Sequence, residues 1–202
     1  MSAGTSSGPG GYCEIASCGD ILLKVSTWEG AVDLKVSSHV LCSASPVFRA
    51  MLGPDSQFKE ACELRTCSVE KPYELSLEDD YPHALTVTLL ALHGRSDMVP
   101  VEITFRNLVE LAIVCDKYDC RGGVLPWVDT TAEAWKHRML DQESGYEEWL
   151  FVAWVFGIEE GYDELSKGVI LESYIDPYSR KLKSKGGEVL EELTIPEAVL
   201  GR

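Results

Sequence analysis

The first regular pattern along the chain consists of two apolar segments, ILLKVS at 21–26 and AVDLKVS at 31–37. The first is bounded by a glycine on each side, as buried strands commonly are. In the second, the aliphatic residues alternate with Asp33 and Lys35, which places them on one face of a strand. Only a few residues, including WEG, separate the two segments, so the pattern predicts a β-hairpin.

A helical period replaces this alternation in the next segment. Apolar residues in HVLCSA (39–44) recur at helical spacing, and Ser45 is placed to cap a second short helix that begins with Pro46. Proline costs nothing at that position, because its missing N–H would have no partner there. Gly-Pro-Asp at 53–55 ends the second helix. The predicted apolar face of this helix consists of Val47, Ala50 and Met51.

A further strand and a helix follow. The segment that begins FKEA at Phe58 leads towards a strand in which Leu75 and Leu77 alternate with polar residues. Asp79 or Asp80 is placed to cap a helix that starts near Tyr81-Pro82 and closes at His93-Gly94. The core-facing stripe predicted for this helix is Leu85, Leu89 and Leu92.

Helical patterns dominate the rest of the chain. An amphipathic helix is predicted from about 105 to 118, a less regular one over 123–139, and another within 159–174. The first of these has Leu108, Leu111, Ala112, Cys115 and Tyr118 on one side. The basic cluster at 180–185 lies in a charged segment and is interpreted as solvated charge, with a nuclear-import or phosphate patch as the alternative.

The segment WLFVAWVF at 149–156 is apolar on every side. Ser144 and Glu147 have the spacing of a capping box, which favours a helix over a strand. Such a helix must be buried all round or hold a partner. Its aromatic residues are therefore candidates for a partner groove, with packing of this helix on the rest of the protein as the alternative.

Charge narrows the classes of function. The 202 residues include 18 Lys+Arg and 33 Asp+Glu, a net charge of −15. This charge argues against direct binding of nucleic acid or of an anionic membrane surface. The longest wholly apolar run has 8 residues, far below the roughly 20 that span a bilayer. The first residues have no basic or apolar signal, so we expect a cytoplasmic or nuclear location.

The seven cysteines include three C-x4-C pairs, whose spacing is longer than zinc sites usually have. On a continuous helix, Cys115 and Cys120 would point about 140° apart, so we expect reduced thiols and no metal site. No nucleotide-binding loop, nucleophile elbow or zinc-protease motif occurs, and the four histidines are scattered. We therefore expect no catalytic residues, no cofactor and no small-molecule substrate. A thiol-based redox sensor at Cys115 and Cys120, beside Lys117, is the alternative that involves chemistry.

Six segments in order resemble the BTB/POZ domain, a small α/β interaction fold, in the compact form numerous in filamentous fungi. They cover roughly half of the chain, from Gly19 to Cys120, and are GDILLKV, DLKVSSHVL, CSASPVFRAML, FKEA, LSLEDDYPHALTVTLLALHGR and ELAIVCDKYDC. The resemblance implies an α+β fold with a small, three-stranded sheet capped by helical hairpins, followed by a C-terminal helical extension. The implied boundaries are a disordered tail at 1–11, the domain at 12–121, the extension at 122–176 and a loose tail at 177–202.

The same resemblance implies a non-catalytic protein–protein interaction module. Members self-associate as homodimers, and many bind the cullin scaffold of a ubiquitin ligase as substrate adaptors. Cullin-binding members carry a hydrophobic-x-acid motif after the second short helix, which Phe58-Lys59-Glu60 matches in residue type and place. The alternative is that Phe58 packs beneath its loop. The candidate partner-binding residues are Phe58, Glu60, Met51, Trp149, Phe151 and Trp154.

Two departures from the family limit what is carried over. Animal transcription-factor members exchange an N-terminal helix and strand between protomers, where this chain has a Gly/Ser-rich segment. They also carry a His-Arg pair where this chain has Ser37-Ser38, so a co-repressor pocket is not implied. A transcription or chromatin regulator that acts through recruited partners is the alternative function within the interaction class.

Overall fold

A computed structural model describes residues 11–27, 30–128, 145 and 147–196, and their fold is α+β, as predicted. The strands are β1 (Gly11–Glu14), β2 (Ile21–Thr27), β3 (Gly30–Val36), β4 (Tyr73–Leu77), β5 (Tyr174–Ile175) and β6 (Leu182–Lys183). The α-helices with defined bounds are α1 (Ser38–Ala44), α2 (Pro46–Leu52), α3 (Lys59–Leu64), α4 (Pro82–Leu92), α5 (Phe105–Tyr118), α6 (Trp149–Phe156) and α7 (Tyr162–Glu172). Short 3₁₀ turns lie at Arg121–Gly123 and Leu190–Glu192.

The main sheet has four strands in the order β1-β3-β2-β4. The predicted hairpin is confirmed, because β2 and β3 are antiparallel with Ile21 opposite Val36. Both outer strands are parallel to their neighbours. The sequence predicted three strands and missed β1, a four-residue edge strand with no apolar alternation of its own. Pairing with β3 rather than local pattern therefore defines β1.

The core lies on one face of this sheet. Alternate residues of the hairpin are fully buried, and α4 packs against β2 and β3. The outer face is charged, with Lys24 and Glu74 paired at 2.9 Å between β2 and β4. The buried residues of the hairpin are Ile21, Leu23, Val25, Leu34 and Val36.

The chain divides into two compact units. The first comprises residues 1–101 and 113–124, and the second comprises 102–112 and 125–202. The second has its own small core around Leu150, Leu190 and Ile195, with partly buried residues of α7 against it. The family-based boundaries at 121 and 176 stay a prediction.

Several local predictions differ from the structure. The segment after Phe58 forms the helix α3, which has only six residues and is too short to show a period. In α2 the buried residues are Phe48 and Leu52, whereas Ala50 is exposed, because the Phe48 ring stacks on Tyr118 at 4.5 Å between centroids. The helix α4 begins after Tyr81 without a side-chain cap.

The C-terminal part differs as well. The structure gives residues 177–196 a strand and a 3₁₀ turn with Leu190 buried, where a loose tail was expected. The helix α6 begins at Trp149 after an N-cap at Glu148, not at the expected capping box, whose Ser144 lies outside the described residues. Residues 1–10 of the expected tail at 1–11 also lie outside them, whereas Gly11 is not part of a tail but begins β1. Residues 129–139 of the expected helix at 123–139 lie outside the described residues too, and residues 125–128 are helical.

Candidate protein-binding site

The loop between α2 and α3 presents Phe58 to solvent. Its side chain is 60% exposed, so Phe58 does not pack beneath the loop. Phe58 is the N-cap residue of α3, with extended backbone, so the helix starts immediately after it. Glu60 follows in the first turn, where the helix dipole favours a negative charge. The chain thus places an exposed aromatic ring next to a helix start that carries an acid.

Arg65 holds this loop against α3. Its Nη2 donates to the carbonyl oxygens of Pro54 and Ser56, each at 2.7 Å. The Ser56 hydroxyl in turn accepts from the N–H of Phe58 at 3.2 Å. These bonds satisfy loop carbonyls and fix the direction in which the chain enters α3. Phe58 is therefore presented by an ordered loop.

The end of α2 requires a glycine at position 53. Its N–H donates to the Arg49 carbonyl at 2.9 Å, and a Cβ on Gly53 would lie 2.4 Å from that oxygen. The Arg49 side chain crosses to the end of α1, where it donates to the carbonyls of Cys42 (2.8 Å) and Ser43 (3.3 Å). These contacts link the two short helices through otherwise unpaired carbonyl groups.

An open groove of about 560 Å³ lies between the ends of α1 and α2 and the loop at 53–56. Met51 belongs to the same segment but not to the groove lining, and it is half-buried. Its carbonyl accepts from the Ser56 hydroxyl at 3.4 Å. The groove is lined by Cys42, Ser43, Arg49, Ala50, Gly53, Pro54, Asp55 and Ser56.

The acidic side chains of α3 act on Tyr73 of β4. The pKa of Tyr73 is raised to about 12, mainly by burial. A hydrogen bond with Glu63, the charge of Glu63 and the charge of Glu60 add to this increase. Glu60 is half-buried, whereas Lys59 is exposed and pairs with Glu63 at 3.6 Å. The helix α3 thus carries two acids, Glu60 and Glu63, and one exposed lysine that pairs with the second of them.

The second predicted set of site residues, on α6, separates into buried and exposed members. Trp149 and Phe156 are buried, so neither can contact a partner in this conformation. Trp154 is 53% exposed and Phe151 is half-buried, with their ring centroids 5.8 Å apart. The helix therefore presents an aromatic pair, not the four-residue groove that its sequence suggested.

Cys115 and Cys120 are both buried and close together, in contrast to the expected opposite directions. The helix α5 ends at Tyr118, and Asp119 has a φ of +46°. The N–H of Cys120 donates to the Cys115 carbonyl (3.1 Å) and that of Asp119 to the Asp116 carbonyl (3.2 Å). This is a Schellman motif, which brings the C3 and C″ residues together. The C-x4-C spacing of this pair therefore reflects a helix end.

This geometry argues against the redox-sensor alternative. A hydrogen bond with Cys120 and burial raise the pKa of Cys115, the opposite of what a reactive thiolate requires. Burial also raises the pKa of Cys13 and Cys42.

Among the histidines, His93 has a structural role. His93 links the end of α4 to the start of α1, since its Nδ1 donates to the Leu89 carbonyl (2.8 Å) and its Nε2 accepts from Ser37 N–H (3.1 Å). Within the described ranges, no group of three or more His, Cys, Asp or Glu residues is arranged to hold a metal ion. Among the helices described above, none combines the length and the apolar character of a membrane span.

Sequence reasoning named Phe58 and Glu60 as candidates, which stays a prediction, and it named neither Arg65 nor the groove. An arginine that binds backbone carbonyls leaves no pattern in the sequence, because any loop of suitable shape can accept its hydrogen bonds. No protein-family model matches this chain, and no curated protein matches its sequence.

Proposed function

We propose that this chain is a non-catalytic protein–protein interaction module of the BTB/POZ type, which bridges partners. The surface formed by Phe58, Glu60 and the adjacent groove is the partner-binding site in this proposal. The partner is the N-terminal domain of a cullin scaffold, as the resemblance implies, and the chain acts as an adaptor of a ubiquitin ligase.

The observation that carries the proposal is the exposure of Phe58 on an ordered loop. Folding does not bury this ring, and the bonds from Arg65 hold the loop that presents it. Aromatic anchors with a neighbouring charge are typical hot spots of protein interfaces. An ordered loop loses little conformational entropy on binding, so more of the contact energy contributes to affinity.

The test is a binding measurement between the full chain and a purified cullin N-terminal domain, by calorimetry and by pull-down. We expect Phe58→Ala to weaken the affinity at least tenfold, equivalent to about 1.4 kcal/mol or more. Glu60→Gln should weaken it several-fold, because it removes the negative charge and retains the shape.

Val101→Ala is the matched control, since Val101 is 89% exposed in another loop and should not affect binding. All variants should melt at the temperature of the wild type, because they alter residues that are not buried. Absence of binding by the wild-type chain, or equal binding by Phe58→Ala, would contradict the proposal.

A further inference from the structure

The helix α6 leaves two aromatic side chains on one face open to solvent. Trp154 is 53% exposed, and the half-buried Phe151 lies three residues earlier, on the same side of the helix. Their ring centroids are 5.8 Å apart with 38° between the ring planes, so the two rings interact directly and form one apolar surface. The other two aromatic residues of α6 are buried. Folding therefore covers the rest of this helix and leaves the aromatic pair without a cover.

The chain turns back directly after this pair. Gly157 has a φ of +72°, and the N–H of Ile158 donates to the Ala153 carbonyl at 2.8 Å. A left-handed glycine with this hydrogen bond is typical of a helix end that returns the chain towards its last turn. That turn carries Trp154, and Glu159 is the next residue after Ile158. An exposed acid therefore follows the aromatic pair at the end of α6.

The connection from α6 to α7 carries negative charge that is not compensated. Glu159 lies in the connection, whereas Asp163 and Glu164 lie in the first turn of α7, which packs against α6. All three are exposed, and none of them belongs to an ion pair with another residue that the structure describes. Residues 149–172 include five acids and a single lysine, Lys167. This part of the second unit therefore attracts cations.

The lysines that follow α7 do not supply this compensation. Each of the three that have an ion pair binds a carboxylate other than the three acids at the connection, so the hairpin after α7 satisfies its own charges. The negative charge beside the aromatic pair is thus left for a partner. The pairs are Lys181–Glu192, Lys183–Asp176 and Lys185–Glu172.

We propose that the aromatic pair of α6 and the acids at its C-terminal end form a docking site for a basic amphipathic segment of another protein. Phe151 and Trp154 contact the apolar side chains of that segment, and the Trp154 ring binds an arginine or lysine over its face. Tryptophan binds cations in this way more strongly than the other aromatic side chains do. Charge complementarity favours this occupant over an acidic or uncharged one. The site lies in the second unit and does not include Phe58, so it goes beyond the proposed function.

The test is the binding of two fluorescently labelled synthetic peptides to the full chain, measured by fluorescence anisotropy at physiological salt. Both peptides contain the same leucines and arginines. In the first, the leucines recur at helical spacing, which makes the peptide amphipathic; in the second, the same residues are shuffled. We expect the amphipathic peptide to bind about tenfold more tightly or better, because only its leucines can meet the aromatic pair together.

Trp154→Ala should weaken the binding of the amphipathic peptide about tenfold or more, because it removes the larger ring of the pair. Tyr178→Ala is the matched control, since it removes an aromatic ring that is 96% exposed in the hairpin with the paired lysines. It should bind like the wild type. The combined variant Glu159→Gln, Asp163→Asn, Glu164→Gln should weaken binding several-fold and reduce its salt dependence, because it removes charge and retains shape.

Equal affinity for the two peptides would overturn this inference, as would an equal loss in Tyr178→Ala, unchanged binding by the combined variant or no binding at all. Melting temperatures equal to that of the wild type establish that the variants fold. The cullin measurement is separate, because Trp154→Ala should bind the cullin domain normally and Phe58→Ala should bind the peptide normally. Loss of one property without the other therefore shows which proposal fails.

Discussion

At the scale of single residues, the buried carboxylate of Asp80 depends on its neighbours for compensation of its charge. Its Oδ2 accepts from the Tyr118 hydroxyl at 2.7 Å and pairs with Lys117 Nζ at 3.0 Å. Its Oδ1 is buried with no hydrogen-bond partner among the described residues. The carboxylate therefore depends on two neighbours at the end of α5, and burial together with Asp80 raises the pKa of Tyr118.

Tyr118→Phe should destabilise the protein by about 1–3 kcal/mol, because it leaves a buried charge with one partner fewer. Urea unfolding measures the change. Tyr12→Phe is the matched control, since the Tyr12 hydroxyl also faces a carboxylate, Glu14 at 3.4 Å, but at an exposed site. There the cost should stay below about 0.5 kcal/mol. Equal costs for both variants would show that Asp80 does not need Tyr118.

His93 should make stability depend on pH below neutrality. Burial lowers the pKa of His93 from its ordinary value of 6.5. The unfolded chain then takes up a proton more readily than the folded one, so stability is full above about pH 6.5 and is lost as the pH falls. Urea midpoints between neutral and mildly acidic pH measure this loss.

The controls compare two histidines. His93→Gln should reduce the acid dependence, whereas His83→Gln at an exposed position should leave it unchanged. If the two variants retain the same pH profile, His93 is not the group that titrates.

At the scale of elements, the end of α5 shows how a helix terminus arranges side chains that the helix itself would separate. Asp119 takes a left-handed conformation, which residues other than glycine, asparagine and aspartate rarely adopt. The turn reverses the chain direction and brings Cys120 back to Cys115. The same turn lets the Tyr118 carbonyl accept from the hydroxyl of Ser45, which caps α2.

Asp119→Val should cost about 1–2 kcal/mol, because a β-branched residue is strained at positive φ. Asp119→Gly should be neutral or slightly stabilising, since glycine adopts this conformation without strain. Thermal and urea unfolding distinguish the two variants. A destabilisation by glycine as large as that by valine would assign the effect to the lost carboxylate.

The elements that the sequence predicted have either a repeated apolar pattern or a clear capping signal, such as Ser45-Pro46 at the start of α2. The elements that were predicted and are present are β2, β3, β4, α1, α2, α4, α5, α6 and α7. β1, α3, β5 and β6 are short and lack an apolar alternation or helical period of their own, so tertiary contacts decide their structure. The same limit applies to the candidate site: its residue types were predictable, but the exposure of Phe58 and the bonds from Arg65 depend on the folded loop.

At the scale of the whole molecule, the net charge of −15 opposes folding through self-repulsion. Surface ion pairs such as Lys24–Glu74 offset little of this repulsion, because exposed ion pairs contribute at most about 1 kcal/mol each. Repulsion among distant charges weakens as the Debye length falls from about 30 Å to 8 Å between dilute buffer and physiological salt.

Added sodium chloride should therefore raise the melting temperature by a few degrees over that range. Differential scanning fluorimetry measures the shift. The effect should shrink near the pI of about 4.6, where the net charge is close to zero. A melting temperature that falls with salt would show that attractive pairs outweigh the repulsion.

The buried thiols of Cys115 and Cys120 at the end of α5 can also report local unfolding of the protein. Cys18 and Cys62 are accessible to an alkylating reagent at once, whereas Cys115 and Cys120 become accessible only when the terminal turn comes apart. The slow phase of alkylation consequently reports how often this turn opens under native conditions. The same turn positions Tyr118, which contacts Asp80 and the α2 cap residue Ser45. The frequency with which the turn opens is therefore a measure of the local stability of the structure next to α2, the helix that precedes the Phe58 loop.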